Sequence, residues 1–262
     1  MPMADLSDVS LNWHEDGSVD GPPVVLAGSL GTDLRLWDDL VARLPRTLRI
    51  IRYDMRGHGQ SSVPDAPYAM GTLVRDAEQL LDHLNVRDCV FVGLSIGGMV
   101  AQGLAVKRLD LVRGIVLSNT AVKMGTTQMW HDRIDTVRAG GIEAIADAVM
   151  ERWFAPKFRA SDALPFWRDM LTGTPIEGYC GCCAAIAGTD FITPTSGLRL
   201  PCLGIAGDRD GASPPDLVRE TIDLIPGARF YLIRGAGHLP CVEAPEAYAA
   251  VIEGFLKEIG HV

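Results

Sequence analysis

Gly93-Leu94-Ser95-Ile96-Gly97 sets a serine hydroxyl between two glycines, at the junction of two apolar stretches. Cys89-Val90-Phe91-Val92 before it reads as a buried strand, and Gly98 to Ala105 after it as a buried helix. A strand that turns sharply into a helix holds the intervening residue in a strained backbone conformation. It also presents that side chain at a helix N-terminus, where developing negative charge is favoured. Gly93 and Gly97 leave room for the turn, because a Cβ at either would crowd the neighbouring strand or helix. A serine so placed becomes a nucleophile when a base takes its proton and a third group orients the base.

The chain has six histidines: His14, His58, His83, His131, His238 and His261. Only His238 follows a late strand, Arg229 to Ile233, in a glycine-rich loop, Gly235-Ala236-Gly237-His238. His83 falls on a helical segment, Val74 to Leu84. His58 sits in an early loop, Arg56-Gly57-His58-Gly59, where it is structural or lines a site. Two aspartates compete for the orienting role, both just after a strand at Leu203 to Gly207. Asp208 could merely tie its own turn. Asp210 lies further into the loop, ahead of a helix start at Ser213-Pro214-Pro215, and is favoured as the group that reaches His238. Ser95, Asp210 and His238 then run in the order nucleophile, acid, base expected for a serine on such an elbow. Gly28-Ser29-Leu30-Gly31 follows a strand at Val24 to Ala27. The expected oxyanion donors are the backbone N–H groups of Leu30 in that loop and of Ile96 after the nucleophile. Such preformed donors each lower an acyl-transfer barrier by about 3 kcal/mol.

These residues need a scaffold that brings strand C-termini to one edge. Strands are read at Pro23 to Leu26, Leu48 to Tyr53 and Gly114 to Leu117 besides those above, with helices at Leu36 to Leu44 and Thr72 to Leu84. Such alternation predicts an α/β fold with a mostly parallel central sheet and helices on both faces. Val9 to His14 is read as an antiparallel edge. From about Ala121 to Ser196 the text is helix-like, with Trp130, Trp153, Phe154, Phe158, Phe166, Trp167 and Tyr179. This predicts a helical cap, 121–196, inserted into a core made of 1–120 and 197–262. The aromatics are expected mainly to pack cap against core.

At 262 residues and 47% hydrophobic, the chain can bury a sizeable core. A formal net charge of −9 argues against nucleic acid and anionic membrane surfaces as partners. The first residues show neither a basic segment nor an apolar leader, no apolar run approaches membrane length, and the default compartment is the cytoplasm. A homo-oligomer stays open. Of six cysteines, Cys89 and Cys202 fall in strands, and Cys241 packs near His238. Cys180, Cys182 and Cys183 cluster in a helical region, without the second ligand pair that a zinc site needs or the βαβ setting of a redox site. No metal is expected.

Along essentially its whole length the chain resembles the α/β-hydrolases. Asp54-Met55-Arg56-Gly57-His58-Gly59 resembles that superfamily's D-x-R-G-x-G loop, and Gly207-Asp208-Arg209-Asp210 its acid-bearing G-x-x-D. More narrowly, it is similar to the 3-oxoadipate enol-lactonases. The similar stretches are Ser29 to Asp33, Arg52 to Gly59 and Val92 to Gly98, with Trp130, Arg133 to Val137, Arg152-Trp153-Phe154 and Gly178-Tyr179-Cys180 in the cap. Two positions depart from common superfamily patterns: Gly28-Ser29 stands in place of His-Gly, and Ile96 in place of Met. The resemblance implies a cofactor-free serine hydrolase of aromatic catabolism that opens a small, carboxylate-bearing enol-lactone with Ser95, His238 and Asp210. It places the anionic lactone against Trp130, Arg133 and Trp153, with Arg152 and Arg138 as the alternatives to Arg133. Rival readings are a hydrolase of C–C bonds in ring-cleavage products, a broad carboxylesterase or haloperoxidase-like enzyme, and a non-catalytic receptor on the same fold. An aspartate-nucleophile dehalogenase is disfavoured because position 95 is serine.

Overall fold

Short apolar runs bounded by turns become strands, and the computed structural model describes residues 2–262. Among the described residues eight strands form one sheet: β1 Met3–Asp5, β2 Ser10–Gly17, β3 Pro23–Ala27, β4 Arg49–Tyr53, β5 Cys89–Leu94, β6 Val112–Ser118, β7 Cys202–Gly207 and β8 Arg229–Ile233. Their spatial order is β1-β2-β4-β3-β5-β6-β7-β8. Strands β3 to β8 are parallel; β2 runs antiparallel to β4, and β1 antiparallel to β2. All residues of β5 and β7 are buried, as expected of strands covered on both faces. The segment read as an edge, β2, is in fact the second strand. The true edge, β1, has three residues, with only Ala4 buried. So short an element carries too little periodicity to be read in advance.

Helices fill the connections. The expected helix over Leu36 to Leu44 is instead a 3₁₀ turn, Leu34–Trp37, followed by a single α-turn, α1 Asp38–Val41. Asp33 caps the 3₁₀ turn through Arg35 N–H, and the buried Asp54 Oδ1 accepts from Leu34 N–H at 2.6 Å. Those side-chain acceptors favour a tight turn over a continuous helix. Helix α2 is Met70–His83 and α3, behind the elbow, is Ile96–Lys107.

Six helices occupy the long connection between β6 and β7: α4 Thr127–Gly140, α5 Glu143–Trp153, α6 Pro156–Arg159, α7 Leu164–Thr172, α8 Ile176–Ala187 and α9 Ile192–Ser196. Phe154 stacks on Phe158 at 4.5 Å and tilts against Trp167 at 6.1 Å, so the aromatics join these helices to one another. The insertion meets the core where α8 crosses the loop after β4. There a Cβ on Gly178 would lie 2.0 Å from the Gly57 carbonyl oxygen, so glycine at both positions permits the crossing. The chain closes with α10 Pro215–Asp223, α11 Pro240–Glu243 and α12 Pro245–Glu258, each begun by proline in the first turn. No helix among the described residues is long and apolar enough to cross a membrane.

Candidate active site

The turn from β5 into α3 gives Ser95 φ 58° and ψ −118°, a region that side chains other than glycine rarely occupy. Neighbours on all sides enforce it. Ser95 N–H donates to the Ser118 carbonyl at 2.9 Å, and Thr120 Oγ1 donates to the Ser95 carbonyl at 2.6 Å. A Cβ on Gly93 would meet the Gly97 carbonyl oxygen at 2.2 Å, and one on Gly97 would meet the Ala27 carbonyl oxygen at 2.2 Å. The glycines therefore allow β5, β3 and α3 to converge on the serine.

Asp210 and His238 meet beyond the ends of β7 and β8. His238 Nδ1 lies 2.9 Å from Asp210 Oδ2, and both side chains are buried. The same oxygen accepts from Asn119 Nδ2 at 2.8 Å, while Oδ1 accepts from the N–H groups of Ala212 and Ser213 at 2.7 and 2.9 Å. All four neighbours are donors, which suits an ionised acceptor and orients one oxygen at the imidazole. Asp208 does something else. Its Oδ1 accepts from Gly235 N–H at 2.7 Å, which ties the loop after β7 to the loop after β8.

Ser95 and His238 line one cavity of about 390 Å³ together with Ser29, Leu30, Trp130, Arg133, Arg152, Trp153 and Tyr179. Asp210 stands behind the imidazole. In the loop after β3, the N–H groups of Ser29, Gly31 and Thr32 have acceptors in Thr32 Oγ1, His58 Nε2 and the Ser29 carbonyl. Leu30 N–H has no acceptor among the described residues. Ile96 N–H opens α3, where no intrahelical acceptor exists. The Arg133 guanidinium lies 5.2 Å from the Trp130 ring centroid and 3.4 Å from Tyr179 Oη, with no carboxylate partner among the described residues. Arg152 also lacks one, whereas Arg138 lies 3.9 Å from Glu177 and away from the cavity lining. The six cysteines are buried and unbridged, and no three His, Cys, Asp or Glu side chains among the described residues gather to hold a metal ion.

Two residues of the site escape the sequence reading, and a third, His58, is one the sequence leaves between a structural and a site-lining role. Asn119, with φ 48°, orients Asp210; its place just past the end of β6 was the available signal. Glu243 braces the His238 loop and is treated below. The third, His58, has a definite task. Its Nε2 accepts Gly31 N–H at 3.0 Å while Nδ1 faces the Arg56 carbonyl at 3.2 Å, so the neutral ring holds the Leu30 loop in place. Burial pushes its pKa down to about 4. The unfolded chain therefore binds the extra proton between about pH 6.5 and pH 4, and stability falls as pH falls through that window. Its expected contribution is a loss of about 2 kcal/mol between pH 7 and pH 5. Urea unfolding of His58→Gln should show a lower stability at pH 7 but a flatter dependence down to pH 5. An unchanged slope would mean that other groups set the acid limb.

A family model described as the alpha/beta hydrolase family matches residues 24–251. The chain belongs to that family. This α/β-hydrolase is 33% identical over 261 residues to 3-oxoadipate enol-lactonase 2 of Acinetobacter baylyi, covering 95% of this chain and 94% of that one. The enol-lactonase structure from Burkholderia xenovorans LB400 superposes with a TM-score of 0.94 at 36% identity, covering 98% of this chain and 100% of the other. A malate-bound thermophilic esterase from Thermogutta terrifontis superposes with a TM-score of 0.90 at 29% identity, covering 97% and 95%. With relatives so named at this identity and coverage, the α/β-hydrolase described here is an enzyme, a hydrolase.

Proposed function

We propose that this hydrolase opens a small enol-lactone bearing a carboxylate, 3-oxoadipate enol-lactone to 3-oxoadipate, by serine catalysis. One observation carries the reading: the buried Asp210–His238 pair backs a cavity lined by Ser95 and by Arg133, which has no carboxylate partner among the described residues. In this reading His238 Nε2 takes the Ser95 proton as Oγ attacks the lactone carbonyl. The oxyanion rests on the N–H groups of Leu30 and Ile96. Collapse breaks the ring C–O bond, the His238 imidazolium returns its proton to the departing enol oxygen, which stays tethered in the acyl chain, and the enol becomes the ketone. Water, deprotonated by His238, then cleaves the acyl-serine. Asp210 holds the imidazole in the tautomer that both steps need.

Helices α4 to α9 act as a cap, and Arg133 on α4 receives the substrate carboxylate. In a protein of net charge −9, a cation near the nucleophile is what draws an anion in. The names of the lactonase relatives support this substrate, and the malate in the esterase structure supports a cavity suited to small carboxylates.

The test follows loss of the enol-lactone chromophore beside hydrolysis of 4-nitrophenyl acetate. Arg133→Gln should lower kcat/KM for the lactone by about 10–100-fold, the equivalent of one charge-assisted hydrogen bond of about 1.5–3 kcal/mol. The neutral ester should be hydrolysed nearly as before. Equal losses on both substrates would make Arg133 a brace for the cap. A wild type that prefers neutral esters would replace the lactonase by a broad carboxylesterase.

A further inference from the structure

The last turn of α5 is joined to both loops that carry Asp210 and His238. The carbonyl of Arg152 accepts Gly211 N–H at 3.0 Å, and the carbonyl of Trp153 accepts His238 N–H at 2.7 Å. A helix C-terminus leaves such carbonyls without intrahelical donors, and here the donors come from the loops. One carboxylate completes the joint. Glu243, at the end of α11, accepts Ala155 N–H through Oε1 at 2.8 Å and Gly237 N–H through Oε2. The Gly237 carbonyl accepts in turn from Asn119 Nδ2 at 3.3 Å, so Gly237, the residue preceding His238, is held through both its N–H and its carbonyl. Close approach is built in, since a Cβ on Gly237 would lie 2.3 Å from the Trp153 carbonyl oxygen. Glu243 has no cationic partner among the described residues, and burial raises its carboxyl above the usual range. A partly buried carboxylate without a cation is unfavourable, and the two N–H groups are what it has in return.

We infer that Glu243 is a positioning residue that clamps Gly237, the residue before His238, to the end of α5, so that the base is correctly placed only while the helical insertion is seated on the core. The side chains of Arg152 and Trp153 line the cavity while their main chains hold the two loops. The same few residues thus meet the ligand and support the triad. Glu243 itself does not line the cavity, and it acts through His238.

The inference rests on the serine-hydrolase reading, and the experiment separates the two. Wild type, Glu243→Gln and Ala155→Pro are compared for 4-nitrophenyl acetate turnover, for the rate of Ser95 labelling by a fluorophosphonate, and by circular dichroism. Gln keeps one acceptor of the two. Proline fits at 155, where φ is −62° and the preceding Phe154 is extended, but it removes the N–H that Glu243 holds. Both variants should stay folded, label about tenfold more slowly, and lose about tenfold in kcat with KM within twofold. Labelling and kcat within twofold of wild type in both variants would overturn the inference, as would a loss confined to KM. A wild type that no fluorophosphonate labels would overturn the serine reading and this inference with it.

Discussion

Ser95→Ala should fold normally and lose nearly all turnover, by about 10⁴-fold or more on both the lactone and a neutral ester. The hydroxyl supplies the attacking atom: the cysteines are all buried, Thr120 is committed to the Ser95 carbonyl, and Ser29 Oγ, also in the cavity lining, does not sit on the elbow. A companion variant tests the elbow itself. Ser95→Gly should be equally inactive yet more stable by about 1 kcal/mol, because glycine accepts φ 58° without the steric cost that a Cβ carries there. Steady-state rates with thermal unfolding read both effects. Substantial turnover in purified, folded Ser95→Ala would end the serine mechanism. A Ser95→Gly variant no more stable than Ser95→Ala would mean that the neighbours, rather than the residue, bear the strain.

Asp210→Asn should slow turnover by about 10⁴-fold, the size associated with an imidazole held in the wrong tautomer. The site gives a specific reason. Ala212 N–H, Ser213 N–H, Asn119 Nδ2 and His238 Nδ1 all donate to this side chain. An amide NH₂ would have to face two donors. Either the loop N–H groups lose their acceptor, at about 1–3 kcal/mol for a buried donor left unpaired, or His238 must turn its other tautomer to the amide. Asp208→Asn retains the one oxygen that Gly235 uses, so its rate should stay within about twofold, with a stability change below about 1 kcal/mol. The two variants share a loop and differ by two positions, which makes the comparison sharp. If Asp208→Asn were the inactive one, the acid would be reassigned while Ser95 and His238 kept their roles.

What was legible from the sequence was local. A continuous apolar run such as Cys89 to Val92 has few ways to bury itself other than as a central strand. A serine between glycines at its end then has little choice but the elbow. The same logic, position just past a strand's C-terminus, pointed to Leu30, Asp210 and His238, because parallel strands deliver their ends to one edge. The helical character of 121–196 was visible as lost strand alternation. Short elements and long-range contacts were not legible. Strand β1 is too brief to show a period, and the 3₁₀ turn at Leu34–Trp37 depends on an acceptor, Asp54, twenty residues away. Asn119 and Glu243 look like ordinary polar residues in the chain, and His58 stays open there between a structural and a site-lining role. Their tasks appear only when folding sets them against Asp210, Gly237 and Gly31, across 91, 6 and 27 positions. Which arginine lines the cavity was likewise a tertiary matter. Arg133 and Arg138 share one helix, and only the rotation of α4 on α8 turns Arg133 to the cavity and leaves Arg138 beside Glu177. Hydrophobic pattern is a property of neighbours in sequence, whereas hydrogen-bond partners and charge pairing are set by neighbours in space.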